Sequence, residues 1–325
     1  MILAADVGGT KIQLALFSGA ADGPVKETER FLATGDVRSL PDEIARFATE
    51  SREPIDACGL GVAGPVAGRR VQGANLPWPI DADEIAARLG VPVVMDNDLV
   101  TSAAGLAALK SDELDVLREG RARPGANQAL LSPGTGLGES ILLPDGEEWR
   151  AVPSEGGHAD FAARTDEEWE MTRWLRSRFG RANLEFVLSG PGLANVFEFL
   201  CDRDGLDPVT VLRGTGDNGP LPARVVAAAR RGDVPLAEHA LRFWISAFGA
   251  AAGNLVLRGL ALGGLWLGGG MPARLAPELR APTFLEAFLD KAPHRALLEQ
   301  VPIRLVLSPE TTLKGAARLA FRARA

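Results

Sequence analysis

Two cysteines, Cys58 and Cys201, are all the chain has, with no Cys-x-x-Cys pair and only three histidines, His158, His239 and His294. Neither a structural zinc site nor a disulfide framework can be built from so few ligands. Concentrated positive charge is also missing. The formal net charge is −7, the arginines and lysines are scattered, and the densest basic run, Arg118 to Arg123, reads as a solvated loop. A nucleic-acid surface, which needs clustered basic residues, is therefore not expected. No apolar run reads as a membrane span. Phe243 to Leu257 is short, contains Ser246 and Asn254, and ends at Arg258, so a buried helix is expected there. Asp6 interrupts the apolar N-terminus after a few residues, which argues against a secretory signal. The P-loop signature, the Gly-x-Ser-x-Gly elbow and the protein-kinase His-Arg-Asp and Asp-Phe-Gly sets are absent too. The expectation is a soluble, cytoplasmic protein without nucleic-acid or membrane partners.

What the chain does have is hydrophobic residues, 46% of its 325, enough for two packed domains. It also has two glycine turns of one kind. Asp6-Val7-Gly8-Gly9-Thr10-Lys11 follows the apolar run Ile2 to Ala5, and Ser132-Pro133-Gly134-Thr135-Gly136-Leu137-Gly138 follows Ala129 to Leu131. Glycines let backbone N–H groups approach a phosphate oxygen with no Cβ in the way. Thr10 adds a hydroxyl donor, and Asp6 can hold a hydrated Mg²⁺. Each turn alone is equally a plain hairpin; two of them suggest loops that grip one polyphosphate.

The first third alternates strand and helix signals. Strands are expected at Ile2–Ala5, Ile12–Phe17, Val25–Leu32, Ala57–Val62 and Val91–Met95, and helices after Ser39, over Asp83–Leu89 and over Thr101–Leu109. The polar stretch Ser111–Gln128 reads as a domain crossing. Beyond it come strand Ala129–Leu131, helices Glu167–Phe179, Gly192–Cys201 and Pro235–Leu257, a glycine-rich apolar segment over 262–270, strand Ile303–Leu307 and a closing helix Leu313–Ala325. Asp202–Pro222 is loop-rich. The reading is an α/β chain with a small domain, 1–109 plus 311–325, and a large one, 110–310.

Chemistry has four candidate places. Asp96-Asn97-Asp98 ends an apolar strand, where α/β sheets bind ligands and where a carboxylate can take a proton from an attacking hydroxyl. The same residues also suit a helix cap. Glu155-Gly156-Gly157-His158, with Asp160 beyond, can point a carboxylate and an imidazole into one cleft, a pair suited to hydroxyl recognition; a loop histidine bonded to backbone is the alternative. Glu185 precedes Phe186 to Gly192, and Gly268-Gly269-Gly270 ends a further apolar stretch.

Taken in order, Asp6–Lys11, Gly59–Val66, Asn97–Asp98, Gly134–Gly138, Glu155–Phe161, Glu185–Leu193 and Gly268–Pro272 resemble the bacterial glucokinase family of the actin/hexokinase/Hsp70 superfamily. The run Glu155-Gly156-Gly157-His158-Ala159-Asp160-Phe161 followed by Leu188-Ser189-Gly190-Pro191-Gly192-Leu193 is its most specific element. The resemblance implies a two-lobed, actin-like (ribonuclease H-like) ATPase fold with a nucleotide and sugar cleft between the lobes. It implies a homodimer and an ATP-dependent glycolytic transferase that phosphorylates glucose or a related hexose at the 6-hydroxyl, with Mg²⁺. By the same resemblance Asp98 rather than Asp96 is the base, and Asn97, Glu155, His158, Glu185 and Asn75 hold the sugar. Gly8, Gly9, Thr10 and Lys11 form the first phosphate turn with Asp6 near Mg²⁺ through water. Gly134, Thr135 and Gly136 form the second, and Gly268, Gly269 and Gly270 lie on the adenosine side.

Two features depart from this pattern. The Val-Gly-Gly-Thr-Lys wording also suits the related ROK kinases, but those carry a cysteine-rich zinc motif after the histidine, and no cysteine lies between Cys58 and Cys201. The non-ROK branch is therefore favoured. Glu139, directly after Gly138, stands where a small or apolar residue is expected. A kinase of another hexose or amino sugar is the main alternative, and a non-catalytic sugar-sensing regulator a lesser one.

Overall fold

The computed structural model describes residues 1–72, 76–146, 148–213 and 219–324. Their packing divides into two compact units. The first comprises residues 1–114, 142–153 and 308–325; the second comprises 115–141 and 154–307.

In the first unit β1 (Ile2–Val7), β2 (Lys11–Ala20), β3 (Gly23–Ala33), β4 (Ala57–Val62) and later β8 (Val93–Asn97) form one sheet, ordered β3-β2-β1-β4-β8. Strands β5 (Val66–Ala67), β6 (Arg70–Val71) and β7 (Ile80–Asp81) make a small separate sheet. Alternation along β1 and β2 sorts side chains onto two cores. Leu3, Ala5, Val7, Ile12 and Leu14 face α1 (Leu40–Ala48) and α2 (Ala82–Leu89), whose Ile44, Phe47 and Ile85 are fully buried. Ile2, Ala4, Ala15 and Phe17 face the C-terminal helix, Thr311–Ala323, through Leu313, Ala316, Ala317, Ala320 and Phe321. Each such large apolar side chain stabilises the fold by about 1.5–3 kcal/mol.

Local chemistry sets the helix ends. Ser39 accepts the Asp42 N–H ahead of Pro41, and α2 stops at Gly90 in the left-handed conformation, φ 71°. Helix α3 (Asp98–Leu106) and the C-terminal helix cross where glycines allow contact no other residue permits. A Cβ on Gly315 would lie 1.7 Å from the Thr101 carbonyl oxygen, and one on Gly105 2.0 Å from that of Thr311. Gly59 of β4 packs equally tightly on Ala316, so the sheet, α3 and the last helix form one close-packed seat.

The second sheet has six strands, β9 (Leu114–Arg118), β10 (Gln128–Pro133), β11 (Leu137–Asp145), β12 (Glu148–Val152), β13 (Gly264–Leu267) and β14 (Ile303–Val306), ordered β12-β11-β10-β13-β14-β9. Residues 142–153 of its outer hairpin belong to the first unit. Pairing of β13 with both β10 and β14 is parallel. Around it pack α4 (Asp166–Phe179), α5 (Gly190–Arg203), α6 (Pro208–Val211), α7 (Leu221–Arg231) and α8 (Pro235–Gly259). Helix α8 is long and apolar enough to cross a membrane, yet 78% of its most apolar window is buried. It is the core helix of this unit, approached closely at Gly249 and Gly253 by the backbone of Phe284 and Phe288.

Several expectations are corrected here. The domain crossing Ser111–Gln128 contains strand β9, and Arg118 ends that strand rather than lying in a solvated loop; its guanidinium donates to the Glu299 carbonyl and its Nη1 is buried. The helix expected at Thr101 begins at Asp98 and ends at Leu106. The loop-rich segment Asp202–Pro222 holds α6 and the start of α7, while residues 214–218 lie outside the described residues.

Candidate active site

Register brings the first unit's candidates level. Asp6 of β1 pairs with Gly61 of β4, and Gly61 with Asp96 of β8; the next row is Val7, Val62 and Asn97. The carboxyl ends of three parallel strands therefore finish side by side, the end of a sheet where ligands bind. Asp6 stands between the fully buried Ala5 and Val7. Its carboxyl is pushed up to about 6, first by loss of water, then by the negative charge of Asp98, with Lys11 pulling it back. Asp6, Asp98 and Lys11 thus share one electrostatic neighbourhood.

Between β1 and β2 the turn is closed by Gly8 N–H donating to the Lys11 carbonyl at 2.9 Å, while the Thr34 hydroxyl donates to the Gly8 carbonyl at 2.7 Å. Gly9, Thr10 and Lys11 are exposed. Lys11 Nζ lies 4.4 Å from the Phe31 ring centroid. The candidate anion turn is thus the turn of the β1–β2 hairpin.

The Asp-Asn-Asp segment ends strand β8 and caps the helix that follows. Asn97 is the N-cap of α3, its Oδ1 accepting Leu99 N–H at 2.8 Å and its Nδ2 donating to the Gly64 carbonyl at 3.0 Å. Asp96 turns back to accept Asn97 N–H at 2.8 Å, and burial raises its carboxyl. Asp98 opens the first turn of α3. Asn75 lies outside the described residues.

The second unit gathers the other candidates on β11. Glu185 Oε2 accepts the Leu137 N–H at 3.0 Å, and a Cβ on Gly136 would lie only 2.7 Å from that oxygen. Glu185 N–H donates to the Gly157 carbonyl at 2.9 Å, and its Oε1 is 4.0 Å from His158 Nδ1. Residues 156–158 form a 3₁₀ turn capped by Glu155, which is exposed. The two glycines are needed for close approach. A Cβ on Gly156 would sit 1.9 Å from Glu139 Oε1, and one on Gly157 2.0 Å from the Leu137 carbonyl oxygen.

Asn183, which carries no signal in the sequence, orders this cluster. Its Oδ1 accepts Phe186 N–H at 2.8 Å, so its Nδ2 faces His158 Nδ1, at 3.4 Å. That leaves His158 Nε2 as the outward donor. Asp160 is not part of the cluster; it pairs with Arg181 at 3.0 Å, and its side chain is 87% exposed.

Strand β10 leads to the second glycine turn, the other candidate phosphate loop. Gly134 N–H donates to the Gly136 carbonyl at 2.8 Å, and Gly190 N–H at the start of α5 donates to the Gly134 carbonyl at 2.8 Å. Thr135 is exposed. The Gly268–Gly270 turn packs directly on it. Gly269 has φ 81°, and a Cβ there would meet the Pro133 carbonyl oxygen at 2.4 Å.

These features, two glycine turns, a carboxylate at a strand end and the Glu185–His158–Asn183 cluster, coincide with a glucokinase family model that matches residues 3–323. The chain belongs to the glucokinase family. A glucokinase of Trichormus variabilis is 32% identical over 340 residues, covering 99% of each chain. Among solved structures, a glucokinase from an Antarctic psychrotroph aligns with TM-score 0.84 and 29% identity over 99% of this chain and 98% of that one. A ROK family glucokinase from Streptomyces griseus, in complex with glucose and AMPPNP, aligns with TM-score 0.66 and 21% identity over 99% of each, which shows the fold alone. The fold is the actin-like ATPase fold, and the protein is an ATP-dependent hexose kinase.

Magnesium fits only one part of this donor set. Among the described residues no group of three or more His, Cys, Asp or Glu is arranged for a metal. Mg²⁺ needs no such cage: one or two carboxylates, water and phosphate oxygens suffice. Asp6, a poorly hydrated carboxylate close to a second one, has that chemistry.

Proposed function

We propose that the protein transfers the terminal phosphoryl group of ATP to the 6-hydroxyl of D-glucose, with Asp98 as base. The observation that carries this reading is the Glu185–His158–Asn183 cluster on β11, hydrogen-bonding groups fixed in place that nucleotide hydrolysis alone would not need. Glu155, Glu185 and the Nε2–H of His158 recognise sugar hydroxyls. Asn97, whose amide is already engaged with Gly64 and Leu99, adds its remaining donor and lone pair. Such groups discriminate strongly, because a ligand lacking the matching hydroxyl leaves them unpaired.

Gly8 to Lys11 and Gly134 to Gly136 offer backbone N–H groups to phosphate oxygens, and Gly268 to Gly270 take the adenosine side. Mg²⁺, held by Asp6 through water, would spread the charge on the phosphates. Asp98 accepts the 6-hydroxyl proton, a role worth about 10²–10⁴ in rate. Glucose ahead of other hexoses is supported by the family match, and the same reading takes the protein as a homodimer acting in the cytoplasm on the glycolytic route.

A coupled assay of ATP consumption with glucose, mannose, fructose, N-acetylglucosamine and no sugar tests the reading. Turnover with glucose and none without sugar is expected. Sugar-independent hydrolysis, or no turnover with any of these sugars, would refute it. The Asp98→Asn variant should bind glucose and lose most turnover; a kcat near wild type would remove Asp98 from the role of base.

A further inference from the structure

Glu139 is the residue that departs from expectation, and its surroundings are specific. It is 6% exposed, on β11, two residues from the Leu137 amide that holds Glu185. Its Oε2 accepts Arg258 Nη2 at 3.0 Å, and its Oε1 faces Gly156, where a Cβ would lie only 1.9 Å away. Arg258 is itself anchored. It precedes Gly259, whose missing Cβ lets the end of α8 lie on Ile141 of β11, and whose carbonyl accepts Asn127 Nδ2 at 2.7 Å.

We infer that Glu139, clamped by Arg258, is a positioning residue for the hexose: its carboxylate is the floor on which the Glu155–His158 turn rests. This rests on the reading of residues 155–158 as sugar-binding. The Gly156 main chain fits only because it has no Cβ, and the carboxylate fills the space that a Cβ would take. A free glutamate would sample several rotamers; the Arg258 pair holds one. Burial pushes the Glu139 carboxyl above the usual range and Arg258 pulls it back. A buried carboxylate with a half-exposed partner contributes little stability compared with an apolar residue of similar size. What it supplies is a fixed surface beneath Glu155 and His158.

The test is a size swap read by substrate. Glu139→Ala removes the floor, Gly156→Ala collides with it, and Glu139→Ala with Gly156→Ala refills the space by a methyl group. Glu139→Ala should raise the glucose KM by about tenfold while the ATP KM stays within about twofold, since misplacement by a fraction of an ångström acts on the ligand those groups touch. The double variant should recover glucose KM relative to either single change, and Glu139→Gln, which keeps the volume, should fall between wild type and Glu139→Ala. Glucose and ATP KM moving together, a double variant no better than Gly156→Ala, or an unchanged glucose KM in Glu139→Ala would each overturn the inference. Should Glu139→Ala not fold, as judged by its melting curve, the glucose KM of Glu139→Gln decides alone: a wild-type value refutes. A wild-type enzyme inactive on glucose would instead refute the functional reading, independently of Glu139.

Discussion

Replacing Asp6 by asparagine should make the free protein more stable while disabling it. Asp6 sits in a strand between two fully buried residues, and its carboxyl is raised from 3.8 to about 6, chiefly by lost hydration and next by Asp98. The folded state therefore holds a proton more tightly than the unfolded chain does. Well below pH 3.8 both states are protonated and the site costs nothing. As pH rises through the window from 3.8 to about 6, stability is lost, and above it the loss is complete. At about 1.4 kcal/mol per pH unit, the ceiling is about 3 kcal/mol, less whatever relaxation toward water recovers. Asparagine keeps the shape and never ionises. In metal-free buffer at pH 7.5, Asp6→Asn should raise the melting temperature of the unit that contains it by roughly 2–4 °C for each kcal/mol regained. The gain should shrink to a small fraction of that at pH 4. Paired calorimetric scans at the two pH values, with EDTA present, give the comparison. A variant less stable than wild type at pH 7.5, or a gain equal at both pH values, would refute the reasoning.

Four other outcomes are expected. Gly315→Ala drives a methyl group into the Thr101 carbonyl, so it should destabilise by about 1–3 kcal/mol and depress kcat by shifting the helix that bears Asp98, as thermal melts and steady-state assays will read. Gly157→Ala meets the immovable Leu137 carbonyl and should raise the glucose KM by about tenfold or more with a smaller effect on ATP, measured by initial rates. Lys11 lowers the Asp6 carboxyl, so Lys11→Met should move the acid limb of the kcat/KM profile to higher pH; an unmoved limb would separate Asp6 from activity. Turnover should cease in EDTA and return with added Mg²⁺.

Much of the fold was legible because period-two apolar strands and capped helices state themselves. Ala57–Val62 is a strand to the residue, and Ser39-Leu40-Pro41-Asp42 opens its helix as the cap rule requires. Strand β9 was hidden because it is an edge strand: Asp115 and Arg118 break its alternation, and edges carry charge to avoid unwanted pairing. Helix α7 was hidden in a proline-rich segment, although Pro222 near its start is itself a start signal. The helix bearing Asp98 was placed late because the cap belongs to Asn97, and small residues mark no end. In the site, the glycine turns and the carboxylates were readable, but their partners were not. Asn183 beside His158, Leu137 beneath Glu185 and Arg258 against Glu139 are contacts between segments that sequence order keeps apart.

The glycine seat of α3 also sets an order of events. Asp98 and the surface its helix rests on, Thr311 to Gly315, lie far apart in the chain. Closing so long a loop is slow compared with forming local contacts. The ribosome must therefore reach Gly315 before the Asp98 carboxylate is fixed in place. A nascent chain that stops short of it carries the candidate sugar-binding residues but no settled Asp98. Truncation before residue 311 should leave the enzyme permanently at that stage.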